Sequence, residues 1–164
     1  MGKFKDNYSF NLKGKFRIID KTNKKEILYE DNLIVDKARN ILRDLLFEAD
    51  TDDDISIIKF GDKGHADGDI TTPVAPQNSD TSLEETDSSL IYSKNIDSKQ
   101  KDGDTSIIYS CTLNNNEANL NNGTFTITEA GLFNANGNMF ARKTFPAIIK
   151  TSDRVFEFQW TIIF

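Results

Sequence analysis

The sequence contains very few of the side chains that usually build catalytic and metal sites. Its 164 residues include one cysteine, one histidine and three prolines. A single cysteine excludes an internal disulfide, and we interpret Cys111, which lies in an alternating stretch, as a small buried hydrophobe. With His65 as the sole imidazole and no cysteine near it, a zinc site is not expected.

Further absences disfavour two classes of partner. No apolar run approaches the ~20 residues that span a bilayer, so we expect neither a membrane partner nor a secretory signal. The net charge is −6, and residues 50–104 carry 14 acidic against 5 basic side chains. Because nucleic acid attracts clustered Lys and Arg, the chain is not expected to bind it.

The sequence does contain a strongly β-rich pattern. Its 12 phenylalanines are large flat side chains that favour a sheet-based core. Alternating apolar and polar residues predict strands at residues 8–20, 26–30, 55–60, 89–93, 105–113, 124–129, 138–144 and 156–164. We therefore predict one mainly β domain over residues 1–164, an antiparallel β-sandwich or barrel, with residues 1–8 as an N-terminal arm.

One segment has the period of a helix instead. Its apolar side chains recur three or four residues apart, and they are Ile34, Ala38, Ile41, Leu42, Leu45 and Leu46. This spacing predicts a single amphipathic α-helix that packs across the sheets. Asp31 or Asn32 is the predicted N-cap, because short polar side chains accept hydrogen bonds from the first free backbone N–H groups.

Three segments are predicted to interrupt the strands. Residues 62–87 are rich in Asp, Gly and Pro and predict a long acidic loop, and residues 97–104 predict a charged turn. Pro146 has no backbone N–H to donate to a neighbouring strand. Residues 147–150 are therefore predicted to form a separate piece at the edge of the sheet.

The acidic segments offer two weak candidates for a metal site. Residues 50–54 begin like a calcium loop, but Ile55 stands where that loop needs glycine. His65, Asp67 and Asp69 lie close together in a glycine-rich stretch, although three such donors specify a metal poorly. We predict no metal site, while metal binding by the acidic loop stays open.

Catalytic patterns are not found either. Glu84 and Glu85 are adjacent, so in a strand or a helix their side chains diverge and cannot act as an acid–base pair. No glycine-rich phosphate loop or nucleophile elbow is present. We predict no catalytic residue, no cofactor and no enzymatic activity. A pocket that joins His65 to a converging carboxylate pair would favour an enzyme.

Four segments in order resemble a known class of proteins. They are DNLIVDKARNILRDLL at residues 31–46, ISIIKFGDKG at 55–64, SDTSLEE at 79–85, and ITEAGLFNANGNMFARKTFPAIIKTSDRVFEFQWTIIF at 127–164. Together they resemble tailed-bacteriophage virion proteins found among tail-fibre, collar and other structural modules. The third motif is contracted relative to that class, and the acidic loop at residues 62–76 is longer and more charged.

The resemblance implies a non-enzymatic structural role in the virion, assembled in the bacterial cytoplasm. The protein would be a tail, neck or collar adaptor, or would anchor a fibre, in a symmetric homo-oligomer that contacts portal, neck, tail or capsid proteins. Candidate interface residues lie on the last predicted hairpin and the first strand: Gly131, Leu132, Phe133, Arg142, Lys143, Lys13, Lys15 and Arg17.

Two alternatives remain open. Within the same class, the chain is a capsid decoration or head-fibre protein that binds the capsid surface. In a different class, it is a receptor- or carbohydrate-binding module whose aromatic side chains Tyr92, Tyr109 and Trp160 stack on sugars. Exposure of Trp160 in a polar groove would favour sugar binding, and its burial would disfavour it.

Overall fold

Nine antiparallel strands form one continuous sheet in the computed structural model, which describes residues 12–47, 54–120 and 122–164. Along the chain these strands are β1 (Lys13–Asp20), β2 (Lys25–Ile34), β3 (Ile55–Gly61), β6 (Tyr92–Asn95), β7 (Ser98–Asp102), β8 (Ser106–Leu113), β9 (Thr124–Asn134), β10 (Met139–Thr151) and β11 (Phe156–Ile163). Their order in space is β6-β3-β9-β10-β2-β1-β11-β8-β7. A separate hairpin consists of β4 (His65–Ala66) and β5 (Asp69–Pro73).

The sheet is curled so that its two halves pack face to face. The ring of Phe158 on β11 lies 4.6 Å from that of Phe60 on β3, between centroids. Phe16 on β1 stacks on Phe145 of β10 at 5.6 Å. β2 belongs to both halves, because it pairs first with β1 and then, through its last two residues, with β10. The predicted mainly β sandwich or barrel with one helix is confirmed.

The core is built by side chains that alternate inward along each strand. On β11 the buried residues are Phe156, Phe158, Trp160 and Ile162, separated by partly exposed polar ones. The Trp160 ring lies 4.3 Å from that of Phe16, between centroids, and is fully buried. Aromatic pairs of this kind supply much of the energy of a core. The burial of Trp160 disfavours the carbohydrate-binding alternative.

The helix α1 spans Lys37–Phe47 and buries Ala38 and Ile41. The predicted N-cap residues, Asp31 and Asn32, are wrong, since both lie in β2. That strand continues because Leu33 and Ile34 still pair with β10. Of the described segments, none forms a helix with the length and apolarity that a membrane crossing requires.

Pro146 does not interrupt the strand in which it lies. β10 runs from Met139 to Thr151 as one strand between β9 and β2, so the predicted edge piece is wrong. The pairing register with β9 shifts between Thr144 and Ile148. This irregularity is a β-bulge, and a bulge tolerates the missing N–H of proline within a central strand.

Two predicted loops contain strands. The charged turn predicted at residues 97–104 forms β7, which pairs with β8 at the edge of the sheet, where charged residues are tolerated. The acidic loop at residues 62–87 contains the β4–β5 hairpin. The strand predicted at 89–93 begins at Tyr92, after a 3₁₀ turn over Ser88–Leu90. The predicted arm at residues 1–8 lies outside the described residues.

Candidate functional site

A buried polar site surrounds Glu129 in the middle of β9. Its side chain is fully buried between β3 and β10. The carboxylate accepts hydrogen bonds from the backbone N–H groups of Glu84 at 3.0 Å and Glu85 at 2.9 Å. A buried carboxylate is stable only where donors replace its water shell. These bonds therefore fix the acidic loop to the sheet.

Arg142 on β10 supplies the opposite charge. Its Nη2 donates to Glu129 at 2.7 Å, and its Nη1 donates to Asp80 at 2.6 Å. Asp80 in turn accepts the backbone N–H of Gln77 at 2.9 Å. Burial alone would lower the pKa of Arg142, but its hydrogen bonds to Asp80 and Glu129 raise it. The Arg142 guanidinium thus lies between two carboxylates and keeps its charge. We call Asp80, Glu129 and Arg142 the Glu129 cluster.

Gly61 and Gly64 of the second motif lie where the backbone comes very close to β9, and a larger residue would not fit at either position. A Cβ added at Gly64 would lie 2.5 Å from the carbonyl oxygen of Thr128, which is closer than any carbon can approach. The Gly64 N–H donates instead to the Thr128 hydroxyl at 2.9 Å. At Gly61 a Cβ would lie 2.8 Å from a carboxylate oxygen of Glu129. Both glycines make room for the loop against β9.

A cavity of about 500 Å³ opens beside the cluster, and we call it the acidic cavity. Its charged and titratable lining residues are Asp62, Lys63, His65, Asp67, Asp80, Glu84 and Arg142. The Nδ1 atom of His65 lies 2.7 Å from the carbonyl oxygen of Ala66. In the described part of the chain, no group of three or more His, Cys, Asp or Glu side chains could hold a metal ion.

Asp62 neighbours Glu85 at the edge of this cavity, and the Glu85 Oε2 is buried with no hydrogen-bond donor among the described residues. Burial, and then the hydrogen bond that a protonated Asp62 donates to Glu85, raise the pKa of Asp62 to about 6. Burial alone would raise the pKa of Glu85, but the bonds from Asp62 and from the Asp87 N–H bring it below its usual range. Glu85 is therefore the carboxylate of the pair, and Asp62 carries the shared proton in mildly acidic solution.

We expect Asp62→Asn to remove a pH dependence of stability. The folded chain binds the Asp62 proton more tightly than the unfolded chain does. The protonated carboxyl therefore contributes to the free energy of unfolding in full below pH 4, and this contribution is lost as pH rises through about 6. The loss between pH 5 and 7.5 should be about 1 kcal/mol, allowing for partial exposure. Because the pKa of Glu85 is lowered, the stability that its carboxylate contributes is lost only as pH falls below the range of this measurement.

Urea denaturation at pH 5 and pH 7.5 measures this effect. The asparagine amide can donate to Glu85 at either pH, so the variant should show a smaller fall in the free energy of unfolding than the wild type. Asp67→Asn, at an exposed position of the same cavity, is the control and should keep the wild-type fall. An equal fall in the wild type and Asp62→Asn would refute the shared proton.

A pocket that joins His65 to a converging carboxylate pair would favour an enzyme, and the acidic cavity has only part of this arrangement. His65 and Asp62 line the same cavity, but Glu85 is absent from the described lining residues and its side chain is fully buried. Its Oε1 already accepts the Asp87 N–H at 2.7 Å. The two carboxyl groups therefore face each other and do not converge on the open space where a substrate would bind.

Three of the four quoted motifs meet at this one site. Gly61 and Gly64 come from the second, Asp80 and Glu85 from the third, and Glu129 from the fourth. Comparisons of the chain with protein-family models, with curated proteins and with solved structures give no match. The motif residues are explained instead by their contacts, which are anchoring contacts between a loop and a sheet.

The interface candidates on the β9–β10 hairpin are mostly buried. Leu132 is fully buried, and Phe133 and Arg142 are 2% and 5% exposed. Phe133 packs with Leu83, and a Cβ at Gly131 would lie 2.6 Å from the Phe133 ring. Within a single chain these residues build the core and hold the loop. An assembly role for this hairpin stays a prediction.

The basic candidates lie closer to the surface. Lys13 is exposed at the start of β1. Lys15 forms an ion pair with Asp31, Arg17 bonds to Glu26 at 2.6 Å, and Lys143 bonds to Glu30 at 2.7 Å. Each of these three cations is thus already paired with a carboxylate of β2. Exposed ion pairs contribute little to stability, and an interface role for these residues stays a prediction.

Proposed function

We propose that the chain is a non-enzymatic structural component of a bacteriophage virion. It would act as a tail, neck or collar adaptor, or anchor a fibre, within a symmetric assembly. The observation that supports this proposal is the Glu129 cluster. At this cluster the third motif is bonded to the fourth, since Glu129 accepts the backbone N–H groups of Glu84 and Glu85 as well as the Arg142 guanidinium.

A rigid block with a fixed loop suits an adaptor. The loop between β3 and β6 would ordinarily be the most mobile part of such a fold. Here Glu129 and Arg142 hold it, and the Thr144 hydroxyl donates to the carbonyl oxygen of Val74 at 2.8 Å. A loop held at several points presents the same surface in every copy, which repeated contacts in a symmetric assembly require.

The proposal is tested on purified virions of a phage that encodes this chain. Particles are purified by density gradient, separated into heads and tails, and each fraction is analysed by quantitative mass spectrometry. We expect the chain at a fixed stoichiometry in the tail or neck fraction. Its presence in the head fraction alone would favour the capsid decoration or head-fibre alternative. A chain that is abundant in the lysate and missing from particles would overturn the virion proposal.

A further inference from the structure

The C-terminal end of α1 exposes an apolar surface. Leu46 and Phe47 are 90% and 83% exposed, the highest values among the large apolar side chains of the described residues. They line a groove of about 880 Å³, called the α1 groove, together with Leu12, Ile34, Val35, Asp36, Arg39, Leu42, Arg43 and Asn78. Contiguous apolar surface of this kind marks an interaction site. Arg43 is paired with Asp44 at 2.7 Å and Asp36 also lines the groove, so Arg39 is the lining cation with no ion pair among the described residues.

The β4–β5 hairpin has the complementary character. All five residues of β5 are exposed, and the hairpin presents Ile70 and Val74 at 43% and 52% exposure. Its turn includes Gly68, with φ +76°, where an added Cβ would meet no atom within 4 Å. The tip therefore extends into open space. Asp67 and Asp69 give it a negative charge.

The hairpin tip is held in one conformation before it binds anything. Asp69 accepts hydrogen bonds from the Thr71 N–H at 2.9 Å, the Thr71 hydroxyl at 2.6 Å and the Thr72 hydroxyl at 2.7 Å. These bonds also lower the pKa of Asp69 to about 2, so its charge persists in acid. A preorganised tip loses little conformational entropy on binding.

The hairpin lies outside the groove of its own chain, since none of residues 65–73 lines it. Its base is fixed where the Val74 N–H donates to the Gly64 carbonyl at 3.0 Å and the Val74 carbonyl accepts from Thr144. Asn78, only a few residues further on, is already part of the groove wall, and its carbonyl accepts the Asp36 N–H at 2.9 Å. These bonds hold the hairpin in its place outside the groove.

We propose that the β4–β5 hairpin of one copy binds the α1 groove of a second copy. Ile70 would then contact Leu46 and Phe47, and the acidic tip would lie against Arg39. Apolar contact gives the affinity, and the opposite charges set the orientation and suppress the reverse pairing. The inference rests on the proposed role in a symmetric assembly and names the contact between its copies.

Each copy carries one groove and one hairpin, so the contact is head-to-tail. Contacts of this kind close into rings or extend into fibres, depending on the rotation between neighbours. The contact requires no residue of the Glu129 cluster. It can therefore be removed without disturbing the site that holds the loop.

The test is the mass in solution, measured by light scattering over a concentration series. The wild type should exceed the 18.5 kDa of one chain as concentration rises. A groove variant, Leu46→Glu, and a hairpin variant, Asp67→Lys with Ile70→Ser, should each stay monomeric. An equimolar mixture of the two should form complexes of two chains, because one intact groove and one intact hairpin remain. Circular dichroism checks that each variant is folded.

Ile27→Glu is the matched control, since Ile27 is 39% exposed on β2, which forms no part of either surface. It should associate like the wild type. A wild type that is monomeric at every concentration would overturn the inference, as would oligomers that both variants leave intact. The virion fractions decide the proposed function separately. A monomer found in virions refutes only the hairpin–groove contact, and an oligomer missing from virions refutes only the virion role.

Discussion

Glu129→Gln should lower the free energy of unfolding by about 3–5 kcal/mol, the usual cost of removing one partner from a buried ion pair. Arg142 is 5% exposed and would keep its charge, with Asp80 at 2.6 Å and the exposed Glu84 at 3.9 Å as its remaining carboxylate neighbours. The glutamine amide keeps one acceptor oxygen, so its NH₂ group would face a donor in either orientation: the Glu85 N–H in one, and the Glu84 N–H and Arg142 in the other. A donor that faces a buried donor costs further free energy.

The measurement is urea denaturation followed by circular dichroism at pH 7. Glu30→Gln is the matched control, since its carboxylate bonds to Lys143 at 2.7 Å but is 56% exposed. It should change stability by less than about 1 kcal/mol. Limited proteolysis adds a local readout, because the segment around Glu84 should be cut faster in the variant. Equal effects of the two substitutions would mean that Glu129 is not the anchor of the loop.

A paired variant separates charge from anchoring. Glu129→Leu with Arg142→Met removes the buried ion pair and leaves Asp80, 17% exposed, with the Gln77 N–H as a donor, so it should recover part of the loss in global stability. It cannot restore an acceptor for the Glu84 and Glu85 N–H groups. The loop should therefore remain sensitive to protease in the paired variant. Full recovery of both properties would show that the ion pair, and not the backbone bonds, holds the loop.

The strands were predictable wherever one face is buried and the other is polar. In β11, Phe156, Phe158, Trp160 and Ile162 alternate with more polar residues because successive side chains of a strand point to opposite faces of the sheet. β7 has no such pattern, since Ser98–Asp102 lies at the sheet edge with almost every side chain exposed. Because neither face of such an edge strand is buried, its sequence has no alternation of apolar residues from which a strand could be predicted.

The Glu129 cluster could not be predicted from local patterns. Its partners lie far apart in the chain, at Asp80, Glu85 and Arg142, and only the folded sheet brings them together. One signal was present. Glu129 stands between Ile127 and Ala130 in a strand that is buried on both faces, and a carboxylate in such a run must have partners.

The apolar centre of the molecule gives the second large effect. Trp160→Ala should lower the free energy of unfolding by about 3–5 kcal/mol, as truncation of a buried aromatic side chain usually does. Trp160 is fully buried against Phe16 at 4.3 Å between ring centroids. Removal of the indole would leave a cavity between the two halves of the sheet. Ile27→Ala, at a half-exposed position of β2, is the control and should cost less than about 1 kcal/mol.

Trp160→Phe separates the volume of the ring from its polar atom. The Trp160 Nε1 is buried and has no hydrogen-bond partner among the residues that the structure describes. A buried donor without a partner costs about 1–3 kcal/mol, so replacing it with carbon offsets part of the lost volume. We expect Trp160→Phe to cost less than about 1.5 kcal/mol, the usual limit for a tolerated core substitution. A cost equal to that of Trp160→Ala would contradict the view that loss of an unpartnered indole N–H offsets part of the lost volume.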